Sequence, residues 1–266
     1  MIKVGFIGAG NMGSALARAA ALASGVSVAI YDKCEEKAKS VAHEIGADNL
    51  PLESLVSECD FIFLAVKPNI VPIVAKEISP ILKKRADYTL VSMAAGVSLE
   101  KLSSYFDGIS LPIIRIMPNT PCAVSHGMTL FCKNALVSEE SVSKFETVMA
   151  KSGTLDAIDE ALIDAASAVS GCGPAFAYMF IEALADGAVE CGLPRDKALL
   201  YAAETLVGAA EMVKRTGIHP EALKDAVCSP GGSTIEGVHA LEEGSFRATT
   251  SNAVLAAYKK TKALGK

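Results

Sequence analysis

Three spaced glycines, Gly8, Gly10 and Gly13, constrain this chain more than any other feature. Gly8-Ala9-Gly10-Asn11-Met12-Gly13 has the spacing G-x-G-x-x-G, after the apolar run Lys3–Ile7 and before a helical pattern, Asn11–Ala23. In that context the spacing describes a strand, a turn too tight for side chains, and a helix whose N-terminus faces the turn. Gly8 permits the turn, Gly10 leaves the backbone bare where a pyrophosphate approaches, and Gly13 lets helix and strand pack closely. Free N–H groups and the helix dipole favour an anion at that point. The loop predicts a dinucleotide-binding βαβ unit.

Asp32 ends the next β-branched run, Val26–Tyr31, 19 residues after Gly13. An acid there receives the adenosine ribose 2′-OH and disfavours a 2′-phosphate, whereas Lys33 beside it offers that phosphate a cation. The pair leans towards NADH and leaves both NAD and NADP open. A solvated turn acid is the plainer alternative.

Strand and helix patterns then alternate. A charged helix over Glu35–Ile45 precedes a strand at Phe61–Val66 and a helix over Ile70–Leu82. Thr89–Met93 and Ile113–Met117 are strands around a short helix, Leu99–Phe106. Thr129–Cys132 and Thr154–Ala157 are strands around a helix at Glu139–Ala150. Strands joined through helices predict parallel pairing in a doubly wound, Rossmann-type α/β sheet. In such a sheet the strand ends form the ligand crevice. Here they read Ala65-Val66-Lys67-Pro68, Ala94-Ala95-Gly96 and Met117-Pro118-Asn119-Thr120-Pro121. These small and turn-forming residues leave room for riboses and a nicotinamide; Lys67 reads as a surface or phosphate-facing charge.

From Asp159 the pattern is helical only, giving a first domain over 1–158 and an all-α domain over 159–266. Helices are expected at Ala161–Val169, Ala175–Glu190, Asp196–Arg215, Pro220–Val227, Ile235–Glu243 and Ser251–Lys262. Several are apolar on more than one face, and a domain of this size covers few of them. A second subunit is the expected cover.

A second glycine loop lies in this half, Ser229-Pro230-Gly231-Gly232-Ser233-Thr234, directly before a helix. Its backbone N–H groups can hold a carboxylate or phosphate without an arginine. Ser233 followed by Glu236 also fits a capping box, a reading compatible with the first. Two anion loops point to a cofactor and a small acid.

Composition closes off other classes. Net charge is −5, aromatics are 6% and tryptophan is absent, so there is neither a nucleic-acid footprint nor a polybasic membrane patch. Seven scattered cysteines without a C-x-x-C pair argue against a disulfide framework or metal site and for a reducing cytoplasm. Met1–Gly8 leaves no room for a signal peptide. The longest apolar stretch, Ala161–Gly187, is broken by Asp164, Gly171, Gly173, Pro174, Glu182 and Asp186 and is not expected to span a bilayer. None of the four histidines has a motif partner.

With both loops in hand, the chain resembles the pyrroline-5-carboxylate reductases over nearly its whole length. The first loop is similar to the family's G-x-G-N-M-G, Ala65–Pro68 to A-V-K-P, and Met117–Pro121 to M-P-N-T-P. Ser170–Phe176 is similar to S-G-x-G-P-A-[FY]. Asp225–Arg247 resembles D-x-V-x-S-P-G-G-x-T-I-x-x-x-x-x-L-E-x-x-x-F-R, the most specific of these motifs. The resemblance implies an N-terminal Rossmann domain, an all-α C-terminal dimerisation domain, and dimers that build larger rings. It implies reduction of pyrroline-5-carboxylate to proline with NADPH or NADH, and no metal. It aligns Thr234 with a threonine whose hydroxyl reaches the pyrroline nitrogen, and Ser229, Gly231, Gly232 and Ser233 with the carboxylate-holding segment. Gly8 to Gly13, Val66, Lys67, Ala94, Ala95 and Asn119 align with cofactor contacts. The chain departs at Ser233 and Cys172, where relatives often have threonine or alanine and serine respectively. A β-hydroxyacid dehydrogenase is the nearest rival, but the lysine it would need after Gly171–Pro174 is missing until Lys197. A nucleotide sensor would have no use for the second loop.

Overall fold

The structure is a computed structural model that describes residues 1–106 and 108–264. It forms two compact units: Met1–Cys172 with the segment from Ala257 onward, and Gly173–Ala256.

The first unit is built on an eight-stranded sheet. Its strands are β1 (Ile2–Ile7), β2 (Val26–Tyr31), β3 (Asp48–Asn49), β4 (Phe61–Leu64), β5 (Thr89–Ser92), β6 (Ile113–Met117), β7 (Gly127–Lys133) and β8 (Gly153–Ala157). The order is β3-β2-β1-β4-β5-β6-β7-β8. Its helices are α1 (Asn11–Ala21), α2 (Glu35–Ile45), α3 (Leu52–Glu58), α4 (Val71–Leu82), α5 (Leu99–Ser104), α6 (Glu139–Met149) and α7 (Glu160–Ser170). Two elements, β3 and α3, lie where no periodic pattern is visible in the sequence.

Alternate residues of a strand serve opposite faces. Phe61 and Phe63 join Phe6, Leu16 of α1 and Phe145 of α6 in one buried cluster. Ile62 and Leu64 join Leu55 of α3, Ile78 of α4 and Leu102 of α5 in the other. Burial on both faces explains why β4 is an unbroken apolar run.

One pairing departs from the expected parallel sheet. β6 and β7 run antiparallel, with Ile114 opposite Lys133 and Met117 opposite Leu130. Residues 118–126 between them form a 3-10 turn at Thr120–Val124 and hold no crossover helix. A parallel return needs a crossover of a dozen or more residues, so so short a link turns the chain back. β8 is parallel to β7 because α6 supplies the crossover.

Helix α7 belongs to the sheet unit, although the sequence pattern places it at the head of the helical half. Arg115, on β6 and 4% exposed, bonds Glu160 Oε1 at 3.0 Å and Asp164 Oδ1 at 3.2 Å. The two acids stand one turn apart on α7 and tie it to β6.

The second unit contains α8 (Gly173–Glu190), α9 (Arg195–Thr216), α10 (Pro220–Val227), α11 (Ser233–Glu243) and the first part of α12 (Phe246–Leu264). Its buried cluster is small, Ala185, Ala198 and Ala202 packed with Ile181 and Leu193. Tyr178, Met179, Leu200 and Val207 are more than half exposed. So much exposed apolar surface marks an interaction face. By length and mean hydropathy alone the stretch Glu160–Glu190 reaches what a bilayer crossing needs, and in the structure it is divided into α7 and α8 at Gly171–Cys172. Helix α12 starts at Phe246, five residues before the expected Ser251; Phe246 packs on Phe180 with ring centroids 5.5 Å apart.

Candidate functional site: a nucleotide loop and an anion loop

The order β3-β2-β1-β4 reverses between β1 and β4, the switch point where a doubly wound sheet opens a crevice. Gly8 ends β1 there with φ +114°, a left-handed conformation that favours glycine. A Cβ on Gly8 would collide with Ala65 O and lie 3.2 Å from Val66 Cγ1. A Cβ on Gly13 would collide with Gly8 O and come within 2.8 Å of Ala65 Cβ. Both glycines are therefore forced by close approach of β1, α1 and the end of β4. Gly10 differs: it is exposed, and a Cβ on it would meet nothing within 4 Å. Gly10 is also the N-cap of α1, and no side chain caps that helix. Bare backbone, open space and uncapped N–H groups fit a pyrophosphate.

Asp32, at the end of β2, is drawn into this loop. Its Oδ2 accepts the Ala9 N–H at 2.7 Å and its Oδ1 the Cys34 N–H at 2.8 Å. Lys33, Lys67 and Pro68 are exposed, as are Asn11 and Ala95; Met12, Val66 and Gly96 are half-buried, and Ala94 is buried. All stand at or beyond the C-terminal ends of β1, β2, β4 and β5, one edge of the sheet. Gly96, at φ +73°, turns the chain after β5.

Asn119 is only 8% exposed, and its side chain is occupied by the fold. Nδ2 donates to Ser170 O at 2.8 Å, and Oδ1 accepts the Met128 N–H at 2.9 Å. The end of β6, the start of β7 and the last carbonyl of α7 thus meet at one amide. Sequence reading offered Asn119 as a cofactor contact and missed this junction. The Arg115 network was missed too, although a lone cation in Ile113-Ile114-Arg115-Ile116-Met117 already implies a partnered buried charge.

In the second unit, α10 ends at Val227 and the chain turns through Ser229–Gly232. Gly231 has φ +67°. The Gly232 N–H donates to Ser229 O at 3.0 Å, and a Cβ on Gly232 would strike Ser229 Oγ. Gly232, not Ser233, is the N-cap of α11, and no side chain caps the helix. The capping box is therefore not made: Ser233 already lies inside the first turn, where its hydroxyl is past the capping position. The N–H groups of Ser233, Thr234 and Ile235 have no intrahelical acceptors. Ser229, Gly231, Ser233 and Thr234 are exposed.

Arg247, which the sequence reading left without a role, braces this region. It bonds Glu221 of α10 at 2.6 Å and Glu242 of α11 at 2.5 Å. Hydrogen bonds from Arg247 and then Lys224 hold the Glu221 carboxyl down at about 2. Among the described residues no cluster of three metal-ligating side chains occurs.

Comparison with known proteins decides the family. The Escherichia coli pyrroline-5-carboxylate reductase is 42% identical over 269 residues, spanning 99% of this chain and 98% of that protein. The chain belongs to the pyrroline-5-carboxylate reductase family. The Arabidopsis thaliana enzyme is 41% identical over 98% of this chain and 95% of its own length. Residues 160–264 match the family described as pyrroline-5-carboxylate reductase dimerisation, and residues 3–96 the family described as NADP oxidoreductase, coenzyme F420-dependent. Among solved structures, the Plasmodium falciparum pyrroline carboxylate reductase with NADP bound has a TM-score of 0.89 at 36% identity, covering 100% of this chain and 98% of that one. The Streptococcus pyogenes enzyme has a TM-score of 0.87 at 32% identity, covering 98% of each. A Rossmann-type sheet followed by a helical dimerisation domain is the shared architecture of this reductase family.

Proposed function

We infer that this protein reduces the C=N bond of 1-pyrroline-5-carboxylate to give L-proline, the last step of proline synthesis, as an NAD(P)H-dependent oxidoreductase. The observation that carries this reading is the presence of two glycine loops that each open an uncapped helix, 8–13 and 229–234, in a chain of this family. When bound, the reduced nicotinamide supplies the hydride that goes to the imine carbon. The protein's own part is positioning. Gly10, Asn11, Met12 and Gly13 hold the pyrophosphate on free N–H groups, while Gly8 and Ala9, whose N–H groups bond Tyr31 O and Asp32 Oδ2, shape the loop. Asp32 and Lys33 meet the adenosine ribose. Val66, Lys67, Pro68, Ala94, Ala95, Gly96 and Asn119 form the crevice along the strand ends, with the Asn119 side chain supporting it and not reaching into it.

Ser229, Gly231, Gly232 and Ser233 hold the substrate carboxylate at the start of α11. Thr234 bonds the ring nitrogen and orients the imine; as an alcohol it is a poor acid near neutrality, so the substrate binds already protonated. Holding the two carbons close and aligned supplies most of the catalysis.

Self-association is part of the same reading. The exposed apolar face of α8 and α9 needs a partner, and the segment matching the dimerisation family spans both helices. The unit of assembly is a dimer, alone or as the building block of a larger ring. Seven free cysteines suit the cytoplasm. Oxidation of NADH or NADPH by the purified protein, with and without pyrroline-5-carboxylate, tests the assignment. Oxidation only with the imine is expected; none from folded, nucleotide-binding protein would favour a sensor.

A further inference from the structure

Resting on the reading of residues 8–13 as a pyrophosphate loop, we infer that Asp32 makes the nucleotide site selective for NADH over NADPH. The Asp32 carboxylate is not free to swing aside. Ala9 N–H holds one oxygen at 2.7 Å and Cys34 N–H the other at 2.8 Å. Ala9 lies inside the glycine loop, so the carboxylate is fixed to the element that holds the pyrophosphate. The ribose next to a bound pyrophosphate falls beside it. Each oxygen keeps a lone pair, and a ribose 2′-OH can donate to one.

A 2′-phosphate has no proton to donate there and meets a fixed negative charge. It also finds the Cys34 N–H taken by Asp32 and further acids at the start of α2. Cys34 is the N-cap of α2, and no side chain caps that helix. Asp32 is itself the anion at this helix start. Glu35 and Glu36 fill the first turn, and the Lys39 ammonium is engaged by Glu35 at 2.7 Å. Lys33 is the cation next to Asp32, and its side chain is exposed, so its attraction is screened by solvent.

Titration of the full-length protein with NADH and with NADPH, read by nucleotide fluorescence and without substrate, tests the inference. NADH is expected to bind roughly tenfold tighter or more, the effect of a phosphate dianion against a fixed carboxylate even at a solvent-like dielectric. Asp32→Asn should weaken NADH, tighten NADPH and close most of that gap. Equal or tighter binding of NADPH by the unaltered protein would overturn the inference. So would an Asp32→Asn variant that weakens both coenzymes by one factor, the mark of a purely loop-holding role. Should the variant not fold, the ratio for the unaltered protein still decides. Binding of neither coenzyme would overturn the pyrophosphate reading, and the selectivity with it.

Discussion

Gly10 and Gly13 are three residues apart in one loop, and alanine at each should fail differently. At Gly13 the new Cβ collides with the Gly8 carbonyl and with Ala65 Cβ, both held by the sheet. Neither neighbour is the end of a flexible side chain, so α1 must shift from β1 and β4. Overpacking of this kind costs about 1–3 kcal/mol. At Gly10 the Cβ meets nothing within 4 Å, and φ −73°, ψ 178° is open to any residue. The free protein should change by less than about 1 kcal/mol, the difference between glycine and alanine at an N-cap partly offset by a stiffer unfolded chain. The same Cβ stands where a pyrophosphate would lie against bare backbone. Losing one charge-assisted hydrogen bond of about 1.5–3 kcal/mol weakens coenzyme binding about ten- to a hundredfold. Thermal unfolding and fluorescence titration of both variants separate the two effects. Gly10→Ala should keep its stability and lose coenzyme; Gly13→Ala should lose both. Unchanged coenzyme affinity in Gly10→Ala would mean that no pyrophosphate lies against the backbone at Gly10.

Gly232→Ala should raise KM for the imine more than it lowers kcat, since the new Cβ strikes Ser229 Oγ and opens the carboxylate loop; steady-state kinetics measure this. Thr234→Ala should lower kcat about ten- to a hundredfold, the worth of one hydrogen bond to a charged group, without abolishing turnover; an unchanged rate would remove Thr234 from the site. Arg115→Ala should destabilise the sheet unit by about 3 kcal/mol, the low end for breaking a buried pair, because Glu160 and Asp164 are partly exposed and can be rehydrated; denaturant unfolding reads this. Burial pushes the Cys59 and Cys132 thiols up to about 12 from 9.0. Their folded pKa is raised, so the stability they contribute is complete below pH 9 and lost as pH rises from 9 towards 12. Unfolding midpoints should fall across that range, and alkylation of native protein at pH 9 should reach exposed Cys34 and Cys191 long before Cys59 or Cys132.

The parts legible in the sequence were those with a repeating pattern or a forced glycine. Strands β1, β2, β4, β5 and β6 announce themselves as apolar runs because both of their faces are covered, and Gly8 and Gly13 because no other residue fits. β3 has two residues and α3 seven, too short for a period to show. The antiparallel turn before β7 was hidden because strand direction is written in the connection and not in the strand. Thr249-Thr250 discourages a helix in sequence terms; in the structure α12 runs through both, and Thr250 Oγ1 donates back to Phe246 O at 2.8 Å, satisfying itself inside the helix. Both glycine loops were legible as turns that open a helix. The bracing groups around them were not: Asn119, Arg115 and Arg247 act through partners 9 to 51, 45 and 49, and 5 and 26 residues away, and a single sequence carries no record of such pairs.

Hydride transfer from a nicotinamide to the imine carbon of pyrroline-5-carboxylate can be followed with coenzyme carrying deuterium at the transferable C4 position. Proline should form with one deuterium at the former imine carbon for each coenzyme oxidised. Proline without deuterium, or coenzyme oxidation without proline, would contradict the account.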